Sequence, residues 1–279
     1  MTALAFPQKT RLPDEAGNQK LLIGANNVEK RFISKRANFL ALENISLDVA
    51  AGEFVSILGP SGCGKSTLLK CIGGLTNVTS GEIRIDGQPV TAPRADAGFV
   101  FQRDVLLDWR TVLDNILLPA EFARLNREKY ILRAEELLQT LGLEGQGSRF
   151  PWELSGGMRQ RVAICRGLLL DPALILMDEP FGALDAITRD ELNLELSRLW
   201  ATFNKTVLFI THSISEAVFL STKVVVMDKN PGRIVETIDI DLPRERTLEV
   251  RESPEFIQYT RHLRSVFERL GIMKRTAHA

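Results

Sequence analysis

Phe54-Val-Ser-Ile-Leu58 runs directly into Gly59-Pro60-Ser61-Gly62-Cys63-Gly64-Lys65-Ser66-Thr67, and that into Leu68-Leu-Lys-Cys-Ile72. An apolar strand, a glycine-rich loop and a helix in that order are the context that a phosphate-binding loop needs. The spacing Gly59-x4-Gly64-Lys65-Ser66 lets the backbone bend until successive N–H groups point inward, and the helix behind adds its positive N-terminal end. A triphosphate fits that cradle. Lys65 has the reach for the β- and γ-phosphates and the Ser66 hydroxyl is a ligand for Mg2+, so the loop points to ATP or GTP. A glycine-rich turn without a ligand is the competing reading, and the flanking pattern argues against it.

The 279 residues suit one α/β domain with a lobe inserted or appended. Lys plus Arg and Asp plus Glu balance at 35 each, so no overall positive field advertises nucleic acid or an anionic membrane surface. Cys63, Cys71 and Cys165 are odd in number and lack metal-ligand spacing. They read as reduced cytosolic thiols, with Cys165 in the interior. No stretch approaches the roughly eighteen apolar residues of a membrane-spanning helix. Residues 1–20, with Pro7, Pro13, Gly17 and both charge signs, lack the apolar centre of a signal peptide and read as a flexible arm.

Short strands open the chain at Leu21–Val28, Ile45–Val49 and Glu53–Leu58, followed after the first helix by Glu82–Ile85 and an Asp86-Gly87 turn. They predict a small antiparallel layer leaning on the nucleotide core. From Thr111 to Leu141 the apolar residues Val112, Ile116, Phe122, Leu125, Ile131, Leu137, Leu138 and Leu141 recur at helical steps. A third helix is expected from near Ser155 to about Leu170, closing a helical lobe over about 103–170. Ala173–Met177 and Val207–Ile210 read as buried parallel strands. The expected fold is α/β: a P-loop NTPase core over 21–240 with a parallel sheet, an N-terminal antiparallel β layer and an inserted α-helical lobe. Beyond Val235 the strand-helix alternation is lost. Residues 241–279 read as an extension whose amphipathic helix, with Phe256, Tyr259, Leu263, Val266, Phe267 and Leu270 on one face, covers the core.

Other positions narrow the chemistry. Asp178-Glu179 stand at the carboxyl end of an expected central strand, where open α/β sheets bind ligands. Asp178 is placed to hold Mg2+ through water, and Glu179 to orient or deprotonate the attacking water. Thr211-His212 ends the next strand with an imidazole, and Gln102 offers a neutral amide at a third strand end, able to touch metal or water. Leu154-Ser155-Gly156-Gly157-Met-Arg-Gln160 opens a helix carrying Arg159, Arg161 and Arg166. Ser155 suits an N-cap, and the two glycines let a phosphate approach the positive helix end. Two half-sites for phosphate on one chain suggest two copies paired head to tail.

In that order the loop, Gln102, Leu154–Gly157, Asp178-Glu179, Gly182-Ala-Leu-Asp185 and His212 resemble the ATP-binding subunit of an ABC transporter, over about Leu21 to Val235. The resemblance implies ATP with Mg2+, a homodimer closed by ATP, Asp185 at its interface, and an aromatic ring on adenine, Phe32 or Phe39. Phe150-Pro-Trp-Glu-Leu-Ser155, Pro180-Phe-Gly-Ala-Leu-Asp-Ala-Ile-Thr-Arg189 and Leu106-Leu-Asp-Trp-Arg-Thr-Val-Leu-Asp-Asn115 look like the nitrate, sulfonate, taurine and pyrimidine-precursor importers. Asp108 stands where that group has proline, and Gly167 where it has alanine. The narrower likeness implies import of a small anionic or heterocyclic solute through an integral-membrane permease fed by a periplasmic or extracellular solute-binding protein. The subunit would lie peripherally on the cytoplasmic face of the inner membrane, without nucleic acid. Leu106, Leu107 and Trp109 would carry the motion to the permease, unless the helical lobe buries them. A soluble ABC ATPase acting on DNA or the ribosome is the alternative class, and it usually brings a second cassette or long coiled coils; export is a third reading.

Overall fold

The computed structural model describes residues 20–33 and 38–273. The expected arm, apart from Lys20, lies outside them, as do residues 34–37.

Strands β1 (Leu21–Ile33) and β2 (Asn38–Ala50) pair antiparallel, and β4 (Ser80–Ile85) and β5 (Gln88–Pro89) complete a sheet in the order β2-β1-β4-β5. β1 and β2 are longer than the sequence predicts because their far ends pair with each other in solvent. Phe32 faces Phe39 and Ile33 faces Asn38, with Phe32, Ile33 and Phe39 all exposed. No burial pattern marks that stretch. Asp86 and Gly87 both take positive φ, 52° and 74°, as a tight hairpin turn requires.

The second sheet follows the order β10-β9-β3-β8-β7-β6. It comprises β3 (Phe54–Leu58), β6 (Ala97–Val100), β7 (Leu174–Asp178), β8 (Thr206–Thr211), β9 (Lys223–Asp228) and β10 (Arg233–Asp239). All are parallel except β10, which pairs antiparallel with β9. Both faces are covered, so the central strands β3, β7 and β8 are buried at every position and mostly apolar. Phe54, Leu58, Ile175, Met177, Val207 and Phe209 point into one core with the helical lobe. Val55, Ile57, Leu174, Leu176, Leu208 and Ile210 point into another, filled by α1 (Lys65–Ile72) and the antiparallel sheet.

The sequence predicts no strand at β10, which follows β9 directly, with no helix between them. A register shift falls between Ile234 and Glu236, and the half-buried positions Ile234, Glu236 and Ile238 keep the period of two, but Glu236 takes one of them while Val235 is exposed, so the apolar residues do not announce the strand.

The lobe is built from α2 (Val112–Phe122), α3 (Glu128–Thr140) and α4 (Gly156–Leu168). Phe122 and Leu125, read as part of its apolar face, are instead 82% and 41% exposed. α2 ends at Phe122 and the chain turns through Arg124 at φ 54°, so the helical phase is not carried into α3. Helix α4 lies against β6 by virtue of two glycines. A Cβ on Gly98 would fall 2.2 Å from the Gly167 carbonyl, and one on Gly167 would fall 3.2 Å from Val100 Cγ2.

Helices α5 (Ala186–Phe203), α6 (Ile214–Leu220) and α7 (Pro254–Arg269) finish the layer. Phe256, Leu263, Val266 and Phe267 of α7 are buried in the lobe-side core. Arg246 is 4% exposed. Its guanidinium donates to the carbonyls of Pro243, Val218, Phe219 and Ser221, satisfying the carbonyls that α6 leaves open at its C-terminus. Burial lowers its pKa to about 10, and it stays charged at neutral pH.

Candidate nucleotide site

Because β3, β6, β7 and β8 run parallel, their carboxyl ends share one edge of the sheet, and the candidate residues follow those ends. At β3 the chain enters the loop through Gly59, where a Cβ would lie 2.5 Å from the Met227 carbonyl. Gly62 and Gly64 then adopt φ of 78° and 97°. Lys65 turns back into the loop, 4% exposed, and donates to the Gly59 carbonyl at 2.9 Å and the Pro60 carbonyl at 3.0 Å. The Ser66 hydroxyl donates to Asp178 Oδ1 at 2.7 Å. Cys63 is buried beneath the loop, which raises its thiol pKa against the opposing pull of Lys65.

Glu179 is where these elements meet. Its Oε1 lies 3.7 Å from the Lys65 ammonium, and its Oε2 accepts from Gln102 Nε2 at 3.4 Å and lies 3.6 Å from His212 Nδ1. The backbone aims this carboxylate: Glu179 takes φ 44°, its N–H donates to the Ile210 carbonyl, and its own carbonyl accepts from Gly182. A non-glycine residue held in that region is strained and persists only where its surroundings over-determine it. Burial raises the pKa of the neighbouring Asp178, opposed by the Ser66 hydrogen bond and reinforced by Glu179. A cation at that point offsets the cost of its charge.

Among the described residues no group of three His, Cys, Asp or Glu side chains gathers into a metal cage. Mg2+ needs none, since it takes one or two protein oxygens and fills its remaining positions with phosphate and water. The Ser66 hydroxyl and Asp178 carboxylate supply such oxygens.

The second half-site stands apart, and among the described residues no hydrogen bond or ion pair joins it to Glu179. Ser155 caps α4 by accepting from Met158 N–H, and Asp185 caps α5 by accepting from Thr188 N–H. The two helix ends touch. A Cβ on Gly157 would come within 2.5 Å of Thr188 Cγ2, and one on Gly156 within 3.8 Å of Leu184 Cδ2. Ser155, Gly156 and Asp185 are exposed, whereas Leu154, Gly157 and Gln160 are buried. Leu154 and Gln160, read as facing a second nucleotide, are instead buried: Leu154, just before the Ser155 cap, packs into the lobe-side core, and Gln160 lies on the buried side of α4.

Phe32 and Phe39 are register partners and both about half exposed, at 46% and 51%. Two residues beyond Phe39, the Ala41 carbonyl lies against Gly64, so β2 carries this aromatic pair toward the loop. Trp109 is 74% exposed, while Leu106 and Leu107 are half-buried and Leu106 packs on the lobe core. The expectation of one exposed coupling stretch therefore narrows to Trp109.

Some supporting residues carried no signal in the motifs. Thr211 donates to Glu216 at 2.5 Å and accepts from Ser213 N–H, so the peptide bearing His212 is pinned on both sides. The spacing Ser213-x-x-Glu216 is a capping box pattern that could have drawn attention to Glu216. Its carboxylate, 6% exposed with a pKa raised by burial, reaches Thr211 instead.

The ABC transporter family model matches residues 42–182. The chain belongs to the ABC transporter family. It is 45% identical over 249 residues to an uncharacterized ABC transporter ATP-binding protein of Methanocaldococcus jannaschii, covering 89% of this chain and 92% of the relative. It is 46% identical over 231 residues to the taurine import ATP-binding protein TauB of Rhizobium johnstonii, covering 81% and 88%. With TauB of Escherichia coli K12 it shares 43% over 234 residues, covering 82% and 92%. Among solved structures it is similar to a dimeric ATP-binding cassette in a post-hydrolysis state bound to ADP and Pi, with 34% identity, TM-score 0.69, and coverage of 80% of this chain and 100% of that one. This ABC cassette is an ATPase that uses ATP with Mg2+. Among the described residues no helix is long and apolar enough to cross a membrane.

Proposed function

We propose that this cassette is the motor subunit of an importer: a homodimer on the cytoplasmic face of the inner membrane, driving a separate permease. The observation that carries the reading is the 46% identity to a taurine import ATP-binding protein over 81% of the chain. A small anionic solute such as a sulfonate is the favoured cargo class, delivered to the permease by a solute-binding protein.

In this reading the backbone N–H groups of Gly59–Thr67 and the Lys65 ammonium bind the β- and γ-phosphates. Phe32 or Phe39 stacks on the base. Ser66 and Asp178 would hold Mg2+, which would supply charge neutralisation for the phosphates. Glu179 orients the attacking water and accepts its proton, and Gln102 and His212 flank the γ-phosphate from either side of it. The exposed Ser155–Gly156 end of α4, beside Asp185, closes over the partner's nucleotide and stabilises the negative charge that develops there. The touching ends of α4 and α5 support a composite site, since one rigid patch then presents both motifs.

The test is reconstitution with the permease encoded beside this chain. ATP hydrolysis stimulated by a taurine-loaded binding protein is the expected result. Hydrolysis indifferent to the permease would remove the motor assignment, and stimulation only by a heterocycle would move the cargo.

A further inference from the structure

Between Gln102 and the start of α2, the chain carries a strained turn. Val105, 54% exposed, sits at φ 49°. A β-branched side chain in that region is a conformational outlier that does not persist unaided. Three groups from neighbouring helices hold it. From α4, the Arg166 guanidinium donates to the Val105 carbonyl at 2.7 Å and to the Asp104 carbonyl at 2.6 Å. Arg159, one turn from Ser155, pairs with the Asp104 carboxylate at 3.0 Å and also donates to the Leu154 carbonyl. From α2, the wholly buried Asn115 accepts from Leu107 N–H and donates to the carbonyls of Leu107, Arg110 and Thr111.

Arg166 uses its planar fork on two successive carbonyls at the strained residue. No hydrogen bond or ion pair joins it to the phosphate loop, to Asp178 or to Glu179 among the described residues. What lies three residues before Val105 is Gln102, whose amide reaches Glu179 Oε2 at 3.4 Å. We infer that Arg166 is a positioning residue for hydrolysis: by clamping the Asp104–Val105 turn in its left-handed geometry, it sets the place of Gln102 against Glu179. The inference rests on the role proposed above for Gln102. Without the clamp, Val105 relaxes to an extended or right-handed conformation and draws Gln102 away from the carboxylate. The strain is the reason the clamp is needed.

Steady-state ATPase kinetics of the full chain with Mg2+ test this with four variants. Arg166→Met should lower kcat on the order of ten- to a hundredfold, the scale of a small misplacement in a reacting site. The KM for ATP should hold within about twofold, because the phosphate loop is untouched. Val105→Gly alone should retain kcat, since glycine adopts the turn without strain. Combined with Arg166→Met it should restore most of the lost kcat, because nothing then pulls the turn open. A merely structural role for Arg166 predicts no such rescue. An unaltered kcat in Arg166→Met, a raised KM, or a double variant as slow as the single one overturns the proposal. Where Arg166→Met fails to accumulate as folded protein, Arg166→Lys, which keeps the charge but loses the fork, is read against the same criteria. Gln102→Ala separates the two readings. If it leaves kcat unchanged, the role of Gln102 itself fails; if it lowers kcat while Arg166→Met does not, only the clamp fails.

Discussion

At the scale of single residues, the proposed chemistry turns on the strained Glu179. Its carboxylate is approached by Lys65, Gln102 and His212 from three other strand ends, so loss of its charge and loss of its neighbours act differently. Glu179→Gln keeps shape and nucleotide binding, and removes the proton acceptor. Turnover should fall by a factor of about 10² to 10⁴, and near-normal hydrolysis would falsify the assignment. Lys65→Ala acts earlier in the cycle. It deletes the ammonium from the loop, so ATP affinity itself should drop, as titration with a fluorescent ATP analogue would report.

At the scale of elements, the helices divide into those that hold the site and those that meet others. Arg246 fastens the C-terminal extension to the end of α6 through the carbonyls of Val218, Phe219 and Ser221, and donates to Pro243 within the extension. Arg246→Met would leave those buried acceptors unpaired, for a loss on the order of 3 kcal/mol visible as a lower denaturation midpoint. Trp109 behaves oppositely. It is 74% exposed at the turn before α2, so Trp109→Ala should change stability by less than about 0.5 kcal/mol. The same change should abolish co-purification with the permease, since a large exposed aromatic is the kind of anchor that a partner buries. A strong drop in melting temperature would show that the ring is core after all.

At the scale of the whole molecule, the nucleotide loop and the α4–α5 end are separate surfaces of one chain, and in the proposed composite site two copies bring them together. Ser155→Arg places a bulky cation at the exposed cap of α4. In a Glu179→Gln background, each monomer should still bind ATP while the ATP-dependent dimer is lost on size exclusion. A dimer that survives the added arginine removes the composite site.

The local pattern of the sequence was enough for the phosphate loop, the buried strands β3, β7 and β8, the cap Ser155, and the strand-end positions of Asp178, Glu179 and His212. Each rests on neighbours in the chain: a glycine spacing, an unbroken apolar run, a hydroxyl before a helix. What local pattern could not supply is what depends on residues far apart. Convergence on Glu179 requires four parallel strands to share an edge. The burial of Gln160 depends on how α4 packs, and that of Leu154 on the turn that leads into it. Strand β10 goes unannounced because Glu236 takes one of its half-buried positions and Val235 an exposed one. Val105 announces nothing by its type, and its strain exists only because Arg166, 61 residues away, holds the turn that the backbone alone would abandon.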